Sequence, residues 1–320
     1  FHATNRYDEA IKSYKKAISL KPKHILVHYY LGMSLEAVNN TEEAINSYKK
    51  TIKVNPNYAK TFFRIADINN MHKDLDEAIY NYKKAILINP NYNDALNNLG
   101  NALMSKGLIS EAIINYKKAI KIKPTSKTYN NLGVAFKTLG NHIDAIKNYN
   151  NAIGLEPNNA EAFYNKGIIY QKIHQYENSV NSYKKAILIN PNYENAYYNL
   201  GIALKDVAFN RPIIDLNNII INILERKTYL NPNEISKTLI YLLKNDNKIK
   251  NIIENNSFDK LEQSFAKVTS QLSKIPLLMK LLSIWSFVDL EFENLFKNLR
   301  SIYLLKINKI NLTTDSLSFL

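Results

Sequence analysis

Between residues 93 and 124 the chain reads NDALNNLGNALMSKGLISEAIINYKKAIKIKP, and its apolar positions fall into two blocks of helical spacing. Leu96, Leu99 and Leu103 recur at three and four, as one face of a helix requires, with Gly100 where a side chain would hold a second helix away. Gly107 interrupts the block. Ala112, Tyr116 and Ala119 then mark the inward stripe of a second helix until Pro124, which has no amide hydrogen and clashes with the preceding turn, forbids continuation. The pattern predicts a helical hairpin.

The same hairpin is written again along most of the chain. Pro22, Pro56, Pro90, Pro124, Pro157 and Pro191 follow one another at 34, 34, 34, 33 and 34 residues. A fixed period in this range predicts a stacked repeat array, with complete hairpins over 23–56, 57–90, 91–124, 125–157 and 158–191 and a further first helix over 194–208. Asn-Pro-Asn-Tyr turns join the repeats at Pro56, Pro90 and Pro191, where the proline ends one helix and the following asparagine is expected to help start the next. Residues 1–22 supply a second helix whose partner precedes Phe1, so the sequence reads as a fragment.

Leu31-Gly32, Leu99-Gly100, Leu132-Gly133 and Leu200-Gly201, followed by Ala44/Tyr48, Ala78/Tyr82, Ala112/Tyr116 and Ala145/Tyr149, carry the signature of a known family. With this period, the pattern resembles the tetratricopeptide repeat over residues 1–210. Ala66 replaces the glycine in one repeat and Ser179 the alanine in another, both small enough to keep the close helix packing. The resemblance implies an all-α fold, an α-solenoid whose first helices line a concave surface, followed by a non-repeat helical domain over 211–320.

After Gly201 no glycine occurs and no period is visible. Apolar spacing still predicts helices over 213–229, 233–244, 257–272, 276–288 and 289–305, with Leu261, Phe265, Val268 and Leu272 as one inward stripe. The last repeat of a solenoid has an apolar face to cover, and this segment is the expected cap. Thr313-Thr314-Asp315 reads as the start of another helix. Arg211-Pro212, Arg226-Lys227-Thr228-Tyr229, Ile275-Pro276-Leu277-Leu278 and Asp289-Leu290-Glu291-Phe292-Glu293 resemble a helical segment found between tetratricopeptide repeats and a class I S-adenosylmethionine-dependent methyltransferase domain in multidomain bacterial proteins. That resemblance implies a catalytic domain beyond Leu320.

Composition narrows the chemistry. The chain has no cysteine, which excludes disulfides and thiolate metal sites, and its six histidines are not grouped at ligand spacing, so no metal and no cofactor are expected. The eight glycines form no phosphate-cradling loop, and no serine lies in a nucleophile-elbow setting; the chain itself is not expected to be an enzyme. The most apolar run, 275–288, is too short for a membrane span and carries Lys280, and no signal peptide is evident, so a cytoplasmic location is expected. A net charge of +14 raises the question of nucleic acid. Its most regular source, the doublets Lys15-Lys16, Lys49-Lys50, Lys83-Lys84, Lys117-Lys118 and Lys184-Lys185, follows the inward tyrosines and is expected to form a solvated outer face. No base-stacking aromatics interleave it, and nucleic acid is not expected as a partner.

Binding is where the pattern is most informative. Two residues before the small residue of each first helix stand Tyr30, Arg64, Asn98, Asn131, Asn165 and Asn199. The four asparagines form a ladder expected to face the concave side, with Asn97, Asn101 and Asn130 beside them and Tyr29, Phe63, Tyr164 and Tyr198 one position earlier. An asparagine amide both donates and accepts, so a row of them can hold an extended peptide by its backbone. The arrangement resembles the asparagine ladder of O-linked N-acetylglucosamine transferases and departs from the two-carboxylate clamp of chaperone-binding tetratricopeptide domains. The expected function is protein–protein interaction, with a peptide or partner protein in the groove; the alternative is the recognition and linker part of a methyltransferase.

Overall fold

In the computed structural model of the protein, residues 6–207, 216–225, 232–284 and 289–306 are described. They form eighteen α-helices and one 3-10 turn, with no strand among the described residues. Arg211, Arg226–Asn231 and Thr313–Asp315 lie outside them. The chain divides into two compact units, 1–157 and 158–320.

The first unit holds α1 (Tyr7–Leu20) and four hairpins: α2 (Ile25–Ala37) with α3 (Thr41–Val54), α4 (Ala59–Met71) with α5 (Leu75–Ile88), α6 (Asn93–Ser105) with α7 (Ile109–Ile122), and α8 (Ser126–Thr138) with α9 (His142–Leu155). Two pairs of successive first helices also touch, α4 against α6 and α6 against α8. The small residue of each first helix works as its position predicts. A Cβ added at Gly100 would lie 2.4 Å from the Tyr116 ring, and one at Gly32 the same distance from Tyr48. Each inward tyrosine is fully buried, and a glycine or alanine opposite it lets the two helices close.

Seven residues after that position the chain turns back through a left-handed residue: Asn39, Lys73, Gly107 and Gly140 have φ of 60, 62, 82 and 76°. Glycine suits the conformation and two repeats use it; the others hold a side chain there against the steric preference. The Asn-Pro-Asn-Tyr turns differ from expectation in detail. The asparagine before the proline, not the one after it, organises the turn: Asn55 and Asn89 Oδ1 accept the amides of Asn57 and Asn91 at 3.0 and 3.2 Å. The reason is reach, since an Asx side chain closes naturally on the amide two residues ahead.

The second unit begins with α10 (Ala160–Lys172) and α11 (Tyr176–Ile189), another hairpin with His174 in the left-handed turn at φ 59°, and α12 (Glu194–Asp206). There follow α13 (Leu216–Glu225), the 3-10 turn Pro232–Ile235, α14 (Ser236–Lys244), α15 (Asn247–Glu254), α16 (Phe258–Leu272), α17 (Pro276–Ile284) and α18 (Leu290–Lys306). The helix α15 is absent from the sequence-based expectation because it is only eight residues long, too short to show its period. One continuous core joins Tyr183, Leu200 and Leu204 to Leu216, Ile219, Leu239, Leu277 and Phe292. Thr238 Oγ1 donates to the Leu204 carbonyl at 2.8 Å, and Lys205 pairs with Glu234 at 2.8 Å. The period stops near residue 210, whereas packing divides at 157: the first boundary records duplication and the second records which side chains share a core.

Candidate functional site

The inward tyrosines bury a hydroxyl, and a buried hydroxyl needs a partner. In the first unit Tyr48 donates to Glu36 Oε2 at 2.9 Å, Tyr82 to Asp67 Oδ1 at 2.5 Å and Tyr116 to Asn101 Oδ1 at 2.7 Å. In the second, Tyr183 donates to Gln171 Oε1 at 2.8 Å. Every acceptor lies on the first helix of the same hairpin, one or four residues beyond the small residue.

The ladder position of the next repeat then reaches back to the same acceptor. Arg64 Nη2 donates to Glu36 Oε1 at 2.7 Å, Asn98 Nδ2 to Asp67 Oδ1 at 3.0 Å, and Asn131 Nδ2 to Asn101 Oδ1 at 3.0 Å and to Asn97 Oδ1 at 3.1 Å. Asn97 itself donates to Asn98 Oδ1 at 3.3 Å. In the second unit Asn199 Nδ2 donates to the Tyr164 hydroxyl at 3.1 Å. Three of the ladder side chains in the first unit thus stitch neighbouring repeats together. Sequence reasoning missed Glu36, Asp67 and Gln171; the available signal was a polar acceptor recurring one or four residues past the small position.

Burial sorts the expected site residues. Asn97, Asn130 and Asn165 are 5%, 3% and 6% exposed, so they support from behind instead of presenting an amide to solvent. Arg64, Asn98, Asn101, Asn131 and Asn199 are half-buried, with an edge open. Phe63 packs on Tyr92 with ring centroids 4.9 Å apart, Tyr164 on Tyr193 at 4.9 Å, and Tyr29 edge-on to Tyr58 at 5.2 Å. Each partner is the tyrosine of the following turn, so these aromatics cement repeats. Asn97 and Asn130 occupy the same position in the two repeats whose following turn lacks that tyrosine. Tyr198 is the exception, 49% exposed.

The electrostatics follow from burial. Desolvation holds the Asp67 carboxyl above its ordinary range although the bonds from Tyr82 and Asn98 pull it down, and it pushes the Tyr92 and Tyr193 phenols up to about 12. These groups are tuned for packing, with no nucleophile, base and orienting group brought together among them. The outer lysines stay on the surface, where Lys15 pairs with Glu43 at 3.4 Å and Lys83 with Glu111 at 4.0 Å.

A family model described as "TPR repeat" matches residues 1–39, 73–107, 100–140, 136–173 and 175–207, and one described as "Tetratricopeptide repeat" matches 27–58. The chain belongs to the tetratricopeptide repeat family. Its repeats align with YrrB, described as a tetratricopeptide protein with an unusual peptide-binding site, at 21% identity over 58% of this chain and 96% of that one, with a TM-score of 0.51. PilF of Pseudomonas aeruginosa aligns at 17% identity over 77% and 97%, TM-score 0.51, and the APC/C hetero-tetramer Cut9–Hcn1 at 19% over 76% and 47%, TM-score 0.52. At such identities the likeness shows the tetratricopeptide fold alone. No curated protein matches the chain. The family matches end at residue 207, and no helix among the described residues is long and apolar enough to cross a membrane.

Proposed function

We propose that the tetratricopeptide array is a scaffold that binds an extended peptide, or an extended segment of a partner protein, along its first helices. The observation that carries this is the row Arg64, Asn98, Asn131 on α4, α6 and α8. These helices touch in succession, and the row's polar side chains are half-buried, pre-oriented by Glu36, Asp67 and Asn101, and open on one edge. Orientation costs are met within the fold, so a peptide unit docking on the row finds donors and acceptors in place. Asn199 and the exposed Tyr198 offer the same chemistry in the second unit.

The test starts from a peptide selected against the full chain from a random display library. Its affinity is measured by calorimetry for the wild type, for Asn98→Ala with Asn131→Ala, and for a variant with Lys49, Lys50, Lys83 and Lys84 changed to Gln. Loss of net hydrogen bonding at about 1 kcal/mol per amide predicts a weakening of roughly thirtyfold for the first variant and little change for the second. Thermal melts run alongside, because the asparagines also stitch the repeats. If the lysine variant loses the peptide and the asparagine variant keeps it, the working surface is the outer face. The enzyme-class reading, that this chain precedes a methyltransferase domain, rests on the resemblance of 211–320 alone; the coding sequence past Leu320 tests it, through the presence or absence of a strand followed by a glycine-rich loop.

A further inference from the structure

The helices α15 and α16 enclose a cleft of about 360 Å³ whose chemistry the array does not use. Its wall on α15 and the residue capping it is Lys248, Asn251 and Asn255; its wall on α16 is Lys260, Ser264 and Lys267; Ile252, Leu261 and Val268 form the apolar floor. Both walls recur at three and four residues, so each is one continuous helix face.

Charge is segregated here in a way composition does not require. Residues 247–272 carry four lysines, Lys248, Lys250, Lys260 and Lys267, and three acids, Glu254, Asp259 and Glu262. Three of the four lysines line the cleft and none of the acids does. Like charges gathered around a concave surface repel one another, and the outer face of the repeats shows the usual remedy, lysine paired to glutamate. The cleft lacks that remedy among its lining residues. Its amides are instead pre-set: Lys260 Nζ donates to Asn255 Oδ1 at 3.3 Å, and Asn255 Nδ2 donates to the Asn251 carbonyl at 2.8 Å and to Asn251 Oδ1 at 3.0 Å. Ser264 Oγ donates to the Lys260 carbonyl at 2.7 Å, which fixes its rotamer at the cleft wall.

We propose that this cleft binds a phosphate-bearing ligand, with Lys248, Lys260 and Lys267 as its cationic contacts. Lysine ammonium groups act as point charges that neutralise a multiply charged anion, and Asn251, whose side-chain oxygen is held by Asn255, adds its Nδ2 group as a donor. The volume suits a small phosphorylated molecule or one phospholipid headgroup. The apolar floor accepts the non-phosphate part of either. The site is independent of the peptide row, which lies on other helices.

The two sources are separated by two probes used on the full chain. Inorganic pyrophosphate is titrated calorimetrically, and phosphatidylcholine vesicles with and without phosphatidic acid are tested by co-flotation. Each is repeated with Lys260→Gln/Lys267→Gln and with Lys250→Gln, which removes a lysine of the same helix pair from outside the cleft. The three residues are exposed, so melts of the variants are expected to match the parent. Loss of two ammonium contacts predicts a weakening of roughly tenfold or more for the double variant and less than about twofold for Lys250→Gln. Saturable pyrophosphate binding with this pattern assigns a soluble phosphate. Flotation only with phosphatidic acid, with this pattern, assigns the headgroup. Binding of neither probe, or equal loss in both variants, overturns the proposal.

Discussion

Asp67 and Asn101 occupy the same place in consecutive repeats and accept the same two bonds, so each is a control for the other. Asp67 Oδ1 accepts from Tyr82 at 2.5 Å and Asn98 at 3.0 Å; Asn101 Oδ1 accepts from Tyr116 at 2.7 Å and Asn131 at 3.0 Å. Burial raises the Asp67 pKa and outweighs the two bonds that lower it. A folded-state pKa above the unfolded value means the protonated acid suits the fold better. Its contribution is therefore complete below the unfolded value of about 3.9 and is lost as pH rises through the folded one. Asp67→Asn mimics the uncharged acid and keeps an acceptor for both donors. It forfeits charge assistance, about 0.5–1 kcal/mol per bond, but removes a desolvation cost that the raised pKa shows to be larger. The variant is expected to be at least as stable as the parent near about pH 7, with the advantage shrinking toward about pH 4. Asp67→Ala instead strands the buried Tyr82 hydroxyl and the half-buried Asn98 amide, for a loss of about 2–4 kcal/mol. Urea unfolding followed by circular dichroism at both pH values reads the differences. A loss for Asp67→Asn as large as that for Asp67→Ala near neutrality, or an advantage that grows with acid, would mean that burial does not govern this carboxyl.

Three further outcomes are expected. Gly100→Val places a branched side chain where even a Cβ meets the Tyr116 ring at 2.4 Å, for a loss of about 3 kcal/mol or more; Gly100→Ala is expected to cost less, since Ala66 sits opposite Tyr82 in the same fold, and a denaturation midpoint unchanged by valine counts against the packing argument. Lys73→Gly and His174→Gly relieve left-handed backbone at φ 62 and 59° and are expected to raise the melting temperature, each by up to about 1 kcal/mol of stability, less for His174 because its Nδ1 contact with the Tyr176 hydroxyl at 2.9 Å is lost; a fall in both would show that glycine's unfolded-state entropy dominates. Truncation after Asn210 removes the cover from Leu200 and Leu204 and is expected to give aggregation on size exclusion, whereas a soluble, equally stable monomer would show that the repeats need no cap.

The sequence determined the hairpin, the period and the small-residue contact by itself, because these depend on local spacing: Gly100 and Tyr116 lie sixteen residues apart, and Pro124 ends its helix without help from elsewhere. It also placed the helices expected over 233–244, 257–272 and 289–305 within three residues of their described bounds, and the described parts of 213–229 and 276–288 are helical, since amphipathic runs such as 258–272 are long enough to show their stripe. It could not show α15, whose two turns hold too few apolar positions, nor the use of the ladder. Asn98 and Asn131 read as groove-facing amides, yet what their Nδ2 groups bond is set by Asp67 and Asn101 about 30 residues earlier, brought alongside only when repeats stack. The tertiary structure likewise decided that Phe63 and Tyr164 cement turns while Tyr198 stays exposed, and that lysines dispersed along α15 and α16 converge on one cleft. A helix period says which residues share a face; only packing says what that face meets.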